Sequence, residues 1–467
     1  MKRISRVFLA ILLCTLFAHS GVHAGSAPVK GKTLMDVAEL AGDGKINKAL
    51  KLVKRAVRRD RLNIPARVAL TALEDIKSGA SDKEASLRVV NAAVLLARDK
   101  AQEAADMAVN DETSYLLAYT LRGYARTALD QYGKAEDDFT RAVAESPTAL
   151  AYLGRGDARK ALGQGGEAFE DYSRAIELNP RLAIAYNKRA VLLGEGGDLE
   201  RAMEDLSHAL KVDKRFAVAY ANRGLLYLEK GELEPALKDY GKAIKLNPLD
   251  TFAYVGRARA YIAKDDAERA LKELRKAIDI NPWMREAYLT RAALYYDHGD
   301  YGPASNDYFW LMKINPSDLD AVVGRANTDR EVGDFERALS GYRRALATDP
   351  DYADAYYHRG ILYYKKGDYQ EAIRDLDRYV ELKPNSHDGY FERGVAYKAL
   401  KNFNRSRVDF TRAIELDSSN AYAYNNRGFV YMVGFNEPGK ACTDWQTACT
   451  LGECANINEA REREVCK

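Results

Sequence analysis

AVAYANRGLLYLEKGELEPALKDYGKAIKLNP, residues 217–248, is the stretch that decides the fold of this chain. Its first half predicts a helix, because the spacing places three residues on one helical face: Tyr220, Gly224 and Tyr227. Its second half repeats this spacing after a turn around Gly231, with Ala236, Tyr240 and Ala243. Asn247-Pro248 ends the second helix, since proline lacks the amide hydrogen that a continuing helix needs. The stretch predicts a helix hairpin with small residues where the two backbones approach.

The same pattern returns along most of the chain. Its clearest marker is an arginine that recurs first after 33 residues and then eight times after 34: Arg122, Arg155, Arg189, Arg223, Arg257, Arg291, Arg325, Arg359, Arg393 and Arg427. A period of this length is the signature of a helical repeat array, in which each hairpin buries its apolar face by stacking on its neighbours.

The repeated residues resemble the tetratricopeptide repeat family, whose motif has small and aromatic residues at these offsets and a terminal proline. An alanine recurs thirteen residues after the arginine: Ala135, Ala168, Ala202, Ala236, Ala270, Ala304, Ala338 and Ala372. The proline recurs as Pro147, Pro180, Pro248, Pro282, Pro316, Pro350 and Pro384. The resemblance spans residues 116–454 and implies an all-α, right-handed superhelical solenoid with about ten clear repeats. Later units depart from the motif at Leu311, Tyr379 and Ser406, and one extra residue lies within 435–439.

An acidic residue recurs at a nearly constant offset from these arginines. Sixteen residues after the arginine stand Asp138, Asp171, Asp205, Asp239, Glu273, Asp307, Asp375 and Asp409, with Asp444 one residue further on and Gly341 as the exception. This offset predicts structural ion pairs between the two helices of a unit, such as Arg223 with Asp239 and Arg359 with Asp375. The alternative, a basic track for a polyanion, is disfavoured because the acids cancel the field that attracts phosphates. Nucleic acid is therefore not an expected partner.

The first 24 residues are predicted to be an export signal. Lys2, Arg3 and Arg6 open it, an apolar run covers 7–18, and Val22-His23-Ala24 is a small-residue cleavage site. The formal charge of +3 resides entirely in this segment, which contains no acid, so the remaining chain is formally neutral. We expect cleavage after Ala24, a periplasmic or secreted location, and no integral membrane segment afterwards. A leader retained as an anchor and a eukaryotic lumenal location are the alternatives.

Four cysteines follow the leader, all near the C-terminus: Cys442, Cys449, Cys454 and Cys466. An even number in an exported protein indicates two disulfides. Cys442 and Cys449 are seven residues apart on one helix, about 10 Å along its axis, which is too far for a bond. Of the two remaining pairings, a helix that folds back after Gly452 favours Cys449 with Cys454 and Cys442 with Cys466. Residues 455–467 would then form a stapled cap, and a metal site is the rival interpretation.

Residues 25–115 are predicted to be helical but less regular, with two or three degenerate units. Nine basic and two acidic residues lie within 43–67, including Lys51 and Arg55. Ile46, Leu50 and Val53 mark a core stripe between the charges, so the basic side chains are expected on a solvated face. Docking to an acidic partner or to lipid head groups is the alternative.

The patterns that carry chemistry are incomplete. The histidines of the array are isolated and form no HExxH motif. Gly154 and Gly156 begin a dinucleotide-loop pattern that Arg159 breaks, and Gly434, Gly439 and Lys440 match a phosphate loop except that Ala441 replaces its hydroxyl. We therefore predict that the chain is not an enzyme and has no cofactor and no metal site.

The resemblance implies a concave wall lined by the first helices of the units. Positions two before, and two and five after, each arginine would face it. In the later units these positions hold mostly aromatic residues: Tyr296, Tyr357, Tyr364, Phe391 and Phe429, with Asn425. Tyr422, on the same helix as Phe429, joins them as a candidate groove residue. Such a groove suits an extended peptide or a partner helix, although packing between units is the alternative for these rings.

These observations predict an exported scaffold that binds a protein or peptide partner and supports assembly of a cell-envelope complex without catalysis. The alternative is a polysaccharide-handling accessory factor whose aromatic groove stacks sugar rings. The oligomeric state is left open by the sequence.

Overall fold

The computed structural model describes residues 31–59, 63–108, 116–462 and 464–466. Within these ranges the chain forms 26 α-helices and no strand, so the all-α prediction is confirmed. In the same ranges no helix has both the length and the apolar character needed to cross a membrane. The predicted leader, residues 1–24, lies outside the described residues.

The chain divides into two compact units, residues 1–282 and 283–467. The helices of the first unit are α1 Gly31–Gly42, α2 Ile46–Arg59, α3 Ile64–Ser78, α4 Lys83–Leu96, α5 Ala101–Ala108, α6 Leu116–Ala128, α7 Tyr132–Glu145, α8 Ala149–Ala161, α9 Gly165–Leu178, α10 Ala183–Glu195, α11 Leu199–Val212, α12 Ala217–Glu229, α13 Leu233–Leu246, α14 Thr251–Ala263 and α15 Ala267–Ile280.

The second unit contains eleven described helices. They are α16 Arg285–Asp297, α17 Tyr301–Ile314, α18 Leu319–Glu331, α19 Phe335–Thr348, α20 Ala353–Lys366, α21 Tyr369–Leu382, α22 His387–Ala399, α23 Phe403–Leu416, α24 Ala421–Phe435, α25 Pro438–Thr450 and α26 Ala455–Glu462. In each unit every helix packs on the next one in the chain, which gives a stack of helix hairpins.

The hairpin of α12 and α13 shows how the sequence produces one repeat. Gly231 takes a positive φ of 74° between the two helices, a conformation that glycine adopts without a Cβ clash. Ala236 and Tyr240 on α13 are buried. The Tyr240 ring also fills the space beside α14, where a Cβ on Gly256 would lie 2.4 Å from it. Small residues therefore determine how closely successive hairpins approach.

The second unit accommodates the departures from the motif by local compensation. The Tyr379 ring occupies the space beside Gly389, where a Cβ would lie 2.6 Å from it. The hydroxyl of the fully buried Ser406 donates to the Gly394 carbonyl at 2.8 Å, so the polar group is satisfied. The extra residue of the last repeat lengthens α24, which ends at Phe435 and is followed by the C-cap residue Asn436 with a φ of 53°.

The C-terminal helix α26 caps the second unit. Ile457 and Ala460 on α26 are buried against Trp445 and Ala441 of α25. Disulfides join Cys442 to Cys466 and Cys449 to Cys454, which is the pairing favoured by the sequence. A solenoid needs such a cap because its last hairpin would otherwise expose an apolar face.

Candidate functional site

Nine of the ten arginines of the recurring column bind an acid on the second helix of their own unit. Arg223 Nε and Nη2 donate to the two carboxylate oxygens of Asp239 at 2.6 and 3.0 Å. Arg359 binds Asp375 in the same way, with both distances at 2.7 Å. The other units that have an acid make the equivalent pair: Arg122–Asp138, Arg155–Asp171, Arg189–Asp205, Arg257–Glu273, Arg291–Asp307, Arg393–Asp409 and Arg427–Asp444.

The acids of these pairs are buried, and the guanidinium groups are partly exposed. Burial raises the pKa of Asp375, whereas the hydrogen bond to Asp375 raises the pKa of Arg359. Loss of the arginine would leave the carboxylate buried without its counter-charge. This costs more free energy of folding than replacing both partners of the pair. The pairs therefore stabilise the hairpins and are not available to bind a polyanion.

The arginines make a second contact that the sequence analysis missed. The Nη1 atom donates to a side chain sixteen residues earlier, on the second helix of the preceding hairpin: Ser173 for Arg189, Ser207 for Arg223, Asp377 for Arg393 and Thr411 for Arg427. A polar residue at this offset was the available signal. In other units this offset holds Gly241, Phe309 and Arg343, so the polar residue does not recur consistently along the sequence.

The candidate groove residues all lie in the second unit, on the first helices α16, α20, α22 and α24. We call the side of these helices that carries them the first-helix face. On α24 this face holds an exposed apolar stripe, with Tyr422 at 58%, Phe429 at 40% and Val433 at 55% exposure. Spacings of seven and eleven residues place the three side chains on one side of the helix. Aromatic groups left this accessible are available to a partner.

The other predicted rings are half-buried, and each packs against a neighbouring ring. Ring centroids are 4.9 Å apart for Tyr357 and Tyr379, 5.4 Å for Tyr364 and Tyr369, 5.8 Å for Phe391 and Phe410, and 5.4 Å for Tyr296 and Tyr301. These rings form part of the wall of the face and offer less surface to a ligand than Tyr422 and Phe429.

A polar network crosses the first-helix face between α16 and α20. Arg330 is only 7% exposed and donates to Tyr296 at 3.1 Å and to Glu331 at 2.9 Å. Its Nη1 atom has no hydrogen-bond partner among the described residues. Lys365 approaches Glu331 at 3.2 Å from the next hairpin. Burial lowers the pKa of the neighbouring His358 to about 3, so this imidazole is neutral at physiological pH.

Two further groups on α22 are desolvated without an oppositely charged partner among the described residues. Burial, assisted by Asp388, raises the pKa of Glu392 to about 7. Burial lowers the pKa of Lys398, whose Nζ donates to Asn426 and lies 5.2 Å from the centroid of the Phe429 ring. An ammonium beside the exposed Phe429 ring and a desolvated carboxyl on the same helix can bind complementary groups of a partner.

Asn425 connects this face to the cap. Its side-chain oxygen accepts from Asn456 on α26 at 2.7 Å, and its carbonyl accepts from the Trp445 indole at 3.2 Å. Asn425 is therefore held by the cap and acts as a support for the stripe beside it. Among the described residues, no group of three or more histidine, cysteine, aspartate or glutamate side chains could hold a metal ion.

Stacked helix hairpins of this length, with a recurring set of small residues, define a helical repeat scaffold. Family models of the tetratricopeptide repeat match residues 149–182, 183–216, 217–249, 253–282, 330–389 and 387–420. The chain belongs to the tetratricopeptide repeat family. A comparison with curated protein sequences gave no match.

Three solved structures are similar to this chain at low sequence identity. A tetratricopeptide repeat protein from Parabacteroides merdae ATCC 43184 is 21% identical, with a TM-score of 0.47 over 53% of this chain and 98% of that one. The APC/C hetero-tetramer Cut9-Hcn1 is 13% identical, with a TM-score of 0.47 over 95% and 99%. Yeast Tom70 is 16% identical, with a TM-score of 0.45 over 82% and 96%.

Proposed function

We propose that this protein is an exported scaffold that binds a protein partner through the first-helix face of its second unit and supports assembly of a cell-envelope complex. The observation that carries the proposal is the exposed stripe of Tyr422, Phe429 and Val433 on α24. Partner-binding surfaces are typically built around accessible aromatic side chains with polar groups at their edge. Lys398 and Glu392 provide polar groups on the adjacent hairpin.

The mechanism is stoichiometric binding without turnover. The stripe contributes apolar area, and Lys398 beside Phe429 favours a partner that carries an opposite charge in the same register. Rigid helices hold these side chains, so the face needs little reorganisation before it binds.

Export is supported by two independent features. The first 24 residues have the composition of a secretory leader. Both disulfides join α25 to the segment that follows it, and structural disulfides persist in oxidising compartments. A periplasmic or secreted location satisfies both features.

The test compares the chain from Gly25 to Lys467 with two double variants in affinity capture from detergent-solubilised envelope. Tyr422→Ala with Phe429→Ala removes the stripe, whereas Trp310→Ala with Val408→Ala removes two exposed apolar side chains from second helices of the same unit. We expect partners to be retained by the wild type and by the control pair, and lost by the stripe variant. Equal retention by all three proteins would refute the assignment of the face.

Sugar-polymer binding is the second candidate, because the exposed rings of Tyr422 and Phe429 could also stack on sugars. The rings of Tyr357, Tyr364 and Phe391, which the sequence also places in the aromatic groove, already pack against neighbouring rings. Glycosidase treatment of the extract separates the two candidates. Protein binding survives this treatment, and binding through a polysaccharide disappears.

A further inference from the structure

Helix α2 is an outlier in charge among the described helices. Its sequence INKALKLVKRAVRR contains six basic residues and no acidic one, a formal charge of +6 over 14 residues. The formal charge of every other described helix is +2 or lower. The chain after the predicted leader is neutral overall, so this charge is a local concentration and not a property of the whole molecule.

Four of these cations have no partner in the part of the chain that the structure describes, and they lie on one side of the helix. Lys48, Lys51, Arg55 and Arg58 are exposed and make no hydrogen bond or ion pair with any other described residue. At about 100° per residue their spacing confines them to a stripe about 80° wide and about 15 Å long. We call these four residues the basic stripe. Lys54 lies outside it and binds Glu74 at 2.9 Å.

The opposite side of α2 is fixed in the protein. Ala49, Leu50 and Val53 are buried in the apolar core that α1, α3 and α4 share with this helix. The helix therefore cannot roll over to insert its apolar side into another phase, and any partner meets charge alone. The basic stripe consists of lysine and arginine alone, so it contains no large apolar side chain with which to recognise a specific partner.

We propose that the basic stripe is an electrostatic docking surface for an anionic phospholipid membrane. The observations favour a lipid surface over a folded acidic protein, because a row of flexible cations without an apolar anchor matches a dense, laterally mobile layer of anionic head groups. This inference does not depend on the protein-binding role of the first-helix face. It assigns a different surface, in the other unit of the chain, to a different partner.

The experiment measures sedimentation of the chain from Gly25 to Lys467 with vesicles of phosphatidylcholine, or of phosphatidylcholine with one quarter phosphatidylglycerol. The stripe variant carries Lys48→Gln, Lys51→Gln, Arg55→Gln and Arg58→Gln. A matched control removes four exposed lysines from α13 and α15 of the same unit, by Lys238→Gln, Lys242→Gln, Lys272→Gln and Lys276→Gln. Glutamine has good helix propensity, so both proteins should remain folded.

We expect binding to the anionic vesicles only, weakening steeply between 50 and 300 mM salt because the Debye length shortens. The stripe variant should bind about 100-fold more weakly or worse, since each cation near an anionic surface adds roughly fivefold. The control should retain most of its affinity. The proposal fails if the wild type ignores anionic vesicles, if the control loses as much as the stripe variant, or if only soluble polyglutamate binds the stripe.

Discussion

Arg325 places its guanidinium over the ring of Phe309, with the Cζ atom 4.9 Å from the ring centroid. Phe309 stands sixteen residues before Arg325, in the column where other units have a serine, threonine or aspartate. Gly341 occupies the position of the acid, so Arg325 is the one arginine of the recurring column without a carboxylate sixteen or seventeen residues later. Arg359 makes both an ion pair with Asp375 and a cation–π contact with Tyr356, so Arg325 serves as an internal control for the energetic role of the pair.

Arg359→Ala should therefore destabilise the protein more than Arg325→Ala. The first change strands the buried carboxylate of Asp375, at a cost of about 3 to 5 kcal/mol. The second removes a cation–π contact of about 1 kcal/mol. Urea unfolding of both variants, followed by circular dichroism, measures the difference. Adding Asp375→Ala to Arg359→Ala should recover part of the loss, and an equal cost for the two single variants would contradict a structural role for the ion pair.

The regular part of this fold was predictable because the repeats pack their helices through residues at the same recurring spacing. The period of Arg223 and the spacing of Ala236, Tyr240 and Ala243 specify two helices and the face by which they pack. The acid column was equally predictable, since the acid follows the arginine by sixteen residues in eight units and by seventeen in the last one. Repetition turns a weak local signal into a strong one.

The binding face was less predictable, because exposure depends on which neighbouring side chain happens to cover a ring. Tyr357 and Tyr422 are both aromatic residues on first helices, yet Tyr379 packs against Tyr357 while Tyr422 stays exposed. Tyr379 itself is a departure from the motif, and its contact with Tyr357 could not be derived from the spacing. The second contacts of the arginines were hidden for a related reason, since their column mixes polar and apolar residues.

Gly241 offers a way to add a missing contact. It lies in the interior of α13, sixteen residues before Arg257, and an added Cβ would lie 3.8 Å from Arg257 Nη1. In equivalent places Ser173 and Ser207 accept hydrogen bonds from Arg189 and Arg223. Gly241→Ser should therefore stabilise the first unit by helix propensity and by a new hydrogen bond, each worth about 0.5 to 1 kcal/mol.

The hydrogen bond is separated from helix propensity by a double-mutant cycle. Gly241→Ser and Gly241→Ala are compared in the wild-type chain and in an Arg257→Lys background. The serine variant should gain about 1 kcal/mol relative to the alanine variant only when Arg257 is present. The same difference in both backgrounds would show that the hydroxyl does not bind the guanidinium.

The two disulfides should contribute unequally to the stability of the cap. Cys442–Cys466 closes a sequence separation of 24 residues and Cys449–Cys454 one of 5. Loop-closure entropy predicts a loss of about 3 to 4 kcal/mol when the first pair is changed to serine and about 2 kcal/mol for the second. Hydrogen exchange of α26 should accelerate more in Cys442→Ser/Cys466→Ser. Equal acceleration of exchange in the two double variants would contradict a larger contribution from the Cys442–Cys466 disulfide.

Glu392 makes the stability of the second unit depend on pH. Its pKa rises to about 7 because burial, together with the charge of Asp388, disfavours the carboxylate, while Arg330 acts in the opposite direction. The rings of Tyr357 and Tyr364 also face Glu392. The folded state then binds this proton more tightly than the unfolded state, whose glutamate pKa is about 4.3, so stability falls as pH rises from about 5 to 8.

Glu392→Gln should remove this dependence. The variant should match the wild type near pH 5 and exceed it by about 1 to 2 kcal/mol at pH 8, since partial exposure reduces the full linkage value. Glu381→Gln, at an exposed acid on α21 that pairs with Arg378, is the control and should change stability by less than about 0.5 kcal/mol at either pH. Urea unfolding at the two pH values measures both variants. A pH slope that survives in Glu392→Gln would show that another group carries the proton.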